Sequence, residues 1–88
     1  MLEEFKIRVS DGVESAKFQS MMFHKGIFWK FHQHKYKPLY INEHYLIVKH
    51  DVVLDRLVLV CADEDVWTDY EAPEYKMAKY YNGLEEVA

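Results

Sequence analysis

The chain has 88 residues, of which 50% are hydrophobic and 16% aromatic, and its formal net charge at pH 7 is −4. These values predict one small folded domain spanning residues 1–88 and exclude a disordered chain. The single cysteine excludes an internal disulfide, and the sequence lacks both a run of 18 apolar residues and a secretion signal, since it starts Met-Leu-Glu-Glu. We therefore expect a soluble cytoplasmic protein without a membrane span.

Local patterns define the first two elements. Phe5–Val9 alternates apolar and charged residues, which predicts a half-buried strand. Asp11 is followed three residues later by Glu14, a pair that resembles a helix N-cap with its capping box. Gly26 is a natural left-handed stop, so we expect the helix to end at about Lys25.

Apolar residues lie on two sides of this predicted helix. At 100° per residue, one side contains Val13, Ala16 and Phe23, and the nearly opposite side contains Phe18, Met21 and Met22. In one interpretation, the methionine and phenylalanine residues surround the rim of a single core. In the other, one side packs on a sheet, and Phe18, Met21 and Met22 contact a partner or another subunit.

The middle of the chain has the alternation of strands, interrupted by turns. We predict strands at residues 27–34, 45–48 and 56–62, a turn at 35–38 and a short edge segment at 39–41. Arg56–Ala62 is apolar on both faces, which favours a central strand. The hairpin connection at 51–55 is more apolar than most because it contains Val52, Val53 and Leu54.

The end of the chain is predicted to be helical. Asp63, Glu64 and Asp65 open a helical turn, which Pro73 ends. Residues 74–87 have helical spacing and form either a closing helix or an arm that docks on another chain. The predicted fold class is α+β, a small antiparallel sheet of about four strands in the order β-α-β-β-β, with one helix packed across it and a C-terminal helical segment.

The charges are distributed unevenly along the chain. Residues 24–50 contain five lysines, one acid and all five histidines, whereas residues 51–88 contain ten acids and three basic residues. The basic middle also contains many aromatic residues, a combination that favours contact with an anion, a nucleotide or an acidic partner. The candidate ligand-binding residues are Phe28, Lys30, His32, His34, Lys35, Tyr36, Lys37 and Tyr40.

Motifs for catalysis or cofactor binding are not visible in the sequence. His32 and His34 would share one strand face, but no cysteine pair or zinc motif accompanies them, so we predict no metal and no cofactor. The sequence has no nucleophile elbow, no phosphate-binding loop and no dinucleotide glycine pattern. Cys61 lies within a strand pattern, where a buried and inert thiol is usual. We therefore expect a protein that is not an enzyme.

A looser pattern of motifs extends from Ser15 to Tyr75, about two-thirds of the chain. Its parts are Met22-Phe23, Gly26, Trp29, Tyr45-Leu46-Ile47-Val48, Arg56-Leu57, Asp63-Glu64-Asp65-Val66-Trp67 and Ala72-Pro73-Glu74-Tyr75. This pattern resembles small accessory proteins encoded by tailed bacteriophages, although the chain departs from it at Lys35–Asn42. The resemblance implies a role in counter-defence or host takeover in the cytoplasm of the host cell, without catalysis.

Three functions are consistent with these features. The first is a homo-oligomeric sponge that sequesters an anionic cyclic nucleotide, with bases stacked on the aromatic rings and phosphates neutralised by the lysines. The second is an inhibitor that binds and blocks one host protein through Phe18, Met21 and Met22 or through the acidic end. The third, a nucleic-acid-binding protein, is less favoured because a net-negative chain with few lysines would bind weakly.

Overall fold

A computed structural model describes residues 3–31, 37–79 and 83–87. The elements follow one another along the chain as β1 (Phe5–Arg8), α1 (Gly12–His24), β2 (Phe28–Trp29), β3 (Tyr45–Asp51), β4 (Arg56–Cys61), α2 (Glu64–Asp69), β5 (Glu74–Met77) and β6 (Leu84–Glu86). The α+β class is confirmed. In the part of the chain that the structure describes, no helix has the length and apolar character needed to cross a membrane.

In the described part of the chain, six strands form one mixed sheet in the order β2-β4-β3-β1-β5-β6. β3 and β4 form an antiparallel hairpin, and β1 pairs antiparallel with β3. β5 pairs parallel with β1, and β2 pairs parallel with β4. The prediction of an antiparallel sheet of four strands is therefore wrong in the number of strands and in the direction of these two parallel pairs. The prediction that β4 is an inner strand is confirmed, since it lies between β2 and β3.

α1 begins and ends where the local sequence signals place it. The Asp11 carboxylate accepts the backbone N–H of Glu14 at 2.8 Å, and the Glu14 carboxylate in turn accepts the backbone N–H of Ser10 at 3.2 Å. These bonds satisfy N–H groups that a helix N-terminus would otherwise leave unpaired. At the other end, Gly26 has φ +78°, a conformation that glycine adopts without steric cost.

The core lies between α1 and one face of the sheet. Strand pairing places Phe5, Val48 and Leu59 on this face, and all three are at most 1% exposed. Phe18 and Met22 of α1 pack against them with 0% exposure. The wider cluster also includes partly buried residues on the rim, which supports the interpretation that the phenylalanine and methionine residues of α1 surround one core.

The opposite face of the sheet is covered in part by α2. The Trp67 indole N–H lies 3.2 Å from the backbone carbonyls of both Ile7 and Leu46, and the ring is 5% exposed. The Lys6 ammonium donates to the Trp67 carbonyl at 2.8 Å and lies 4.4 Å from the centre of the indole ring. This buried lysine thus satisfies a carbonyl near the end of α2 and fixes the helix on the sheet.

The described C-terminal segments Glu74–Met77 and Leu84–Glu86 are strands of the chain's own sheet, so the prediction of a closing helix or a docking arm is wrong. Tyr75 and Met77 face the core and alternate with the exposed Lys76, as expected for a strand in a sheet that is covered on one face. The Tyr75 ring stacks on Phe5 with ring centres 4.7 Å apart. Two further predictions are corrected. β2 is shorter than the predicted strand at residues 27–34, of which 32–34 lie outside the described residues, and residues 39–41 are not a strand.

Candidate functional site

Two of the predicted ligand-binding residues, Phe28 and Lys30, make contacts with other residues of the fold. Phe28 is 6% exposed and lies under the Arg56 guanidinium, whose carbon is 4.3 Å from the ring centre. Lys30 forms an ion pair with Asp51, with 2.7 Å between Nζ and Oδ2. The structure therefore places Phe28 within the fold and gives Lys30 a carboxylate partner of its own.

The other predicted ligand-binding residues either are exposed or lie outside the described residues. Lys37 and Tyr40 are exposed. The predictions for His32, His34, Lys35 and Tyr36 lie outside the described residues. Three histidines have contacts within the fold. Nδ1 of His24 bonds to the Ser20 carbonyl at 2.8 Å, Nδ1 of His44 to the Val9 carbonyl at 2.8 Å and Nε2 of His50 to Asp55 at 3.0 Å.

The predicted partner interface on α1 is corrected. Phe18 and Met22 are 0% exposed, because the side of α1 that contains them is the side that packs on the sheet. Met21 is only partly buried at the rim of the core. Val13, on the other side of α1, is 80% exposed. Phe18 and Met22 are thus core residues of the single chain and do not present a surface to a partner.

Gln19, buried within α1, connects the helix to two other segments. Its side-chain amide donates to the Leu39 carbonyl at 2.7 Å and to the Ser15 hydroxyl at 3.1 Å. Its carbonyl oxygen accepts the Leu39 backbone N–H at 2.8 Å and the Trp29 indole N–H at 3.0 Å. Every polar atom of the Gln19 side chain is thus used to hold Trp29 and the segment around Leu39 in place.

An open, mostly apolar cleft lies beyond the end of β2. We call it the aromatic cleft; its volume is about 260 Å³, and it is lined by Trp29, Phe31, Tyr40, Leu59, Val60 and Cys61. Trp29 and Tyr40 meet edge to face with ring centres 5.2 Å apart. Phe31 is 80% exposed and Tyr40 49% exposed, so two aromatic rings border the opening. A cleft of this composition favours an apolar or aromatic group over a charged one.

Two residues of the aromatic cleft have unusual properties. Tyr40 has φ +53°, a left-handed conformation that is rare for a bulky residue and that tends to occur at binding sites. Cys61 is partly buried, and desolvation, with a smaller effect of Glu43, raises the pKa of its thiol to about 11. The thiol is therefore neutral at physiological pH and acts as part of the apolar lining.

The second notable surface is the turn between β3 and β4. We call Val52, Val53 and Leu54 the apolar turn; they are 84%, 92% and 50% exposed. Turns of this kind normally contain polar residues and glycine. Single exposed aliphatic residues are ordinary on protein surfaces, but three in succession at the tip of a hairpin form a continuous apolar projection.

The apolar turn is held in one conformation by its flanking residues. The Asp51 carboxylate accepts the backbone N–H of Leu54 at 3.0 Å and also pairs with Lys30. The Lys30 contact, followed by the Leu54 bond, holds the pKa of Asp51 below its ordinary value. Asp55 has φ +51°, which aspartate tolerates better than most residues. The exposed side chains are thus presented on a fixed backbone.

A broad groove with several carboxylates adjoins the apolar turn. We call it the acidic groove; its lining includes Glu3, Glu4, Asp55 and Glu71, together with His50 and Arg56. Glu4 accepts the His50 backbone N–H and the Tyr70 hydroxyl, each at 2.8 Å, and these two bonds hold the pKa of Glu4 below its ordinary value. Burial, followed by the contact with Glu4, raises the pKa of Tyr70 to about 12.

The described residues of these three surfaces contain no candidate metal centre. Within residues 3–31, 37–79 and 83–87, no three histidine, cysteine or acidic side chains are grouped so that they could hold a metal ion. Comparison of the chain with protein families, with curated proteins and with solved structures found no match.

Proposed function

We propose that this chain is a protein-binding domain without catalytic turnover and that it binds its partner through the apolar turn. The observation that supports this proposal is the exposure of Val52 and Val53, at 84% and 92%, on a backbone fixed by Asp51. Burial of aliphatic surface is the main driving force of protein association. A fixed turn also loses little conformational entropy on binding.

The surroundings of the apolar turn define the chemistry of the partner. The acidic groove begins at Asp55, directly after Leu54, and three further carboxylates line it. A partner that accepts the turn in an apolar pocket would therefore be best matched if the rim of that pocket is basic. Inhibition of one host protein, the second function considered from the sequence, is the form of this proposal that the resemblance to phage accessory proteins favours.

The other functions considered from the sequence have less support among the described residues. A nucleotide sponge needs rings for stacking and lysines for phosphates, but Phe28 is buried and Lys30 pairs with Asp51. Nucleotide binding and nucleic-acid binding both stay predictions. Calorimetry with cyclic dinucleotides and a gel shift at two salt concentrations would test them.

The test of the proposal is capture of a partner by variants with a single added charge. Val53→Asp places a charge at the centre of the apolar turn and should reduce capture of any bound protein from host lysate at least tenfold. Val13→Asp is the matched control, because Val13 is also exposed, at 80%, but lies on α1. Equal capture by both variants would contradict the proposal.

A further inference from the structure

The apolar turn alone is too small to be a whole binding surface. It presents three aliphatic side chains to solvent. A standard protein interface buries roughly 800 Å² of each partner and involves about 20–30 residues on each side. A protein that binds the turn therefore also covers surface next to it.

Lys30 connects the start of the apolar turn to an exposed aromatic ring. Its Nζ lies 2.7 Å from Oδ2 of Asp51, the residue directly before the turn, and 4.9 Å from the centre of the Phe31 ring. Because one ammonium contacts both groups, the Phe31 ring lies close to the place where the turn begins. The Asp51 carboxylate neutralises this ammonium, so Lys30 adds no net charge between the ring and the turn.

The Phe31 ring extends the exposed apolar surface away from the turn. Phe31 is 80% exposed, and it borders the aromatic cleft together with Tyr40, which is 49% exposed. A phenylalanine ring buries roughly 150–250 Å² when a partner covers it. Exposed apolar patches of more than a few hundred Å² mark interaction sites. The turn and the Phe31 ring together reach that size.

We infer that Phe31 is a second contact of the protein that binds the apolar turn, and that Lys30 is a positioning residue that holds the two contacts together. This inference rests on the proposed function, since it extends the same binding surface. The partner it fits has an apolar recess for the turn, an apolar surface for the Phe31 ring and basic side chains opposite the acidic groove.

The acidic groove also makes a second copy of the chain a poor partner for this surface. In a symmetric pair, the same patch of both copies forms the contact. The acidic groove adjoins the apolar turn, so the carboxylates of one copy would approach those of the other. Like charges brought together in this way oppose association.

A photoreactive residue placed at each contact tests the inference. Phe31→p-benzoylphenylalanine and Val53→p-benzoylphenylalanine change residues that are 80% and 92% exposed, so the full chain should keep its fold. On irradiation in host lysate, both variants should crosslink to the same protein. The crosslinked peptides should contain apolar residues with lysine or arginine nearby. Val13→p-benzoylphenylalanine, at an 80% exposed position of α1, is the control and should not give this product.

Two substitutions at one position test the role of Lys30. Lys30→Met keeps an unbranched side chain but leaves the Asp51 carboxylate, which also holds the Leu54 backbone N–H, without its cation. The Leu54 amide should then exchange with deuterium faster, and crosslinking from position 53 should decrease. Lys30→Arg keeps the cation and should restore both. Equal exchange in the two variants would show that Lys30 does not position the turn.

Three results would overturn the inference. If position 53 crosslinks to a protein and position 31 does not, Phe31 is not a contact, and the proposed function stands. Crosslinking from position 31 to another copy of the chain would make a second copy the occupant. Equal products from positions 31 and 13 would mean that the contact of Phe31 is non-specific. A position 53 that crosslinks to nothing would contradict the proposed function itself.

Discussion

The inner side of α1 and the apolar turn contain side chains of similar chemistry in opposite surroundings. Phe18 and Met22 are 0% exposed against the sheet, whereas Val52 and Val53 are more than 80% exposed. Burial of the first pair stabilises the fold, and exposure of the second pair contributes nothing to it. The comparison separates apolar residues that the fold requires from apolar residues that are available to a partner.

A second difference concerns how each region is held in place. α1 is fixed by many packing contacts and by the hydrogen bonds of Gln19 to Leu39 and Trp29. The apolar turn is fixed at its start by the Asp51 carboxylate, which accepts the Leu54 backbone N–H and pairs with Lys30. Loss of one group should therefore affect the turn locally, whereas loss of a core group should affect the whole domain.

The largest effect is expected for Phe18→Ala. Removal of this fully buried ring leaves a cavity, and such changes cost about 3–5 kcal/mol of unfolding free energy. Urea unfolding followed by circular dichroism measures the loss. Val13→Ala on the same helix, where the side chain is 80% exposed, should change stability by less than about 0.5 kcal/mol. Similar losses in the two variants would mean that the assignment of the core face of α1 is wrong.

A smaller effect is expected for Gln19→Leu. The substitution keeps the volume of the side chain but leaves the Trp29 indole N–H and the Leu39 backbone groups without their partner. We expect a loss of about 1–3 kcal/mol of unfolding free energy. The emission spectrum of Trp29 should also change, because the aromatic cleft loses its support. Ser20→Ala, at an exposed position of α1, serves as the control. A variant as stable as the unmodified chain would show that these bonds are dispensable.

Local signals in the sequence predicted a large part of the fold. The alternation of Phe5–Arg8, the capping pair of Asp11 and Glu14, and the two apolar faces of β4 each depend on neighbouring residues. The C-terminal strands could not be predicted in this way. β5 exists because Lys6 and Ile7 pair with Glu74 and Tyr75, far away in the chain, and long-range pairing overrides local spacing.

The candidate site was predicted less well, for two physical reasons. Phe28 and Lys30 have the residue types of a ligand site, but packing under Arg56 and pairing with Asp51 use these side chains within the fold. The apolar turn was visible in the sequence as an unusually apolar hairpin connection. Whether the apolar turn is exposed depends on which other parts of the fold cover it. The unusual composition of the turn was therefore the one signal that the sequence offered. Gln19 had no comparable signal.

The pH dependence of stability tests how the apolar turn is held. Because the folded pKa of Asp51 is depressed, its stabilising effect is present above the ordinary aspartate pKa of about 3.9 and is lost as pH falls through the lowered value. Asp51→Asn should therefore be less stable than the unmodified chain at pH 7, with a difference that shrinks in acid. Urea midpoints between pH 7 and pH 2.5 measure this. A difference that stays constant over the range, or that also appears in the exposed control Asp69→Asn, would contradict this account of the turn.

The central claim, that the apolar turn is available for binding and is not needed for folding, is tested most directly by the double variant Val52→Ser/Val53→Ser. Its unfolding free energy should be measured by urea denaturation in dilute solution, where association cannot add to stability. The account predicts a change within about 0.5 kcal/mol, because both side chains are already exposed to water in the folded state. A loss of about 2 kcal/mol or more would contradict the claim and assign these valines to the fold.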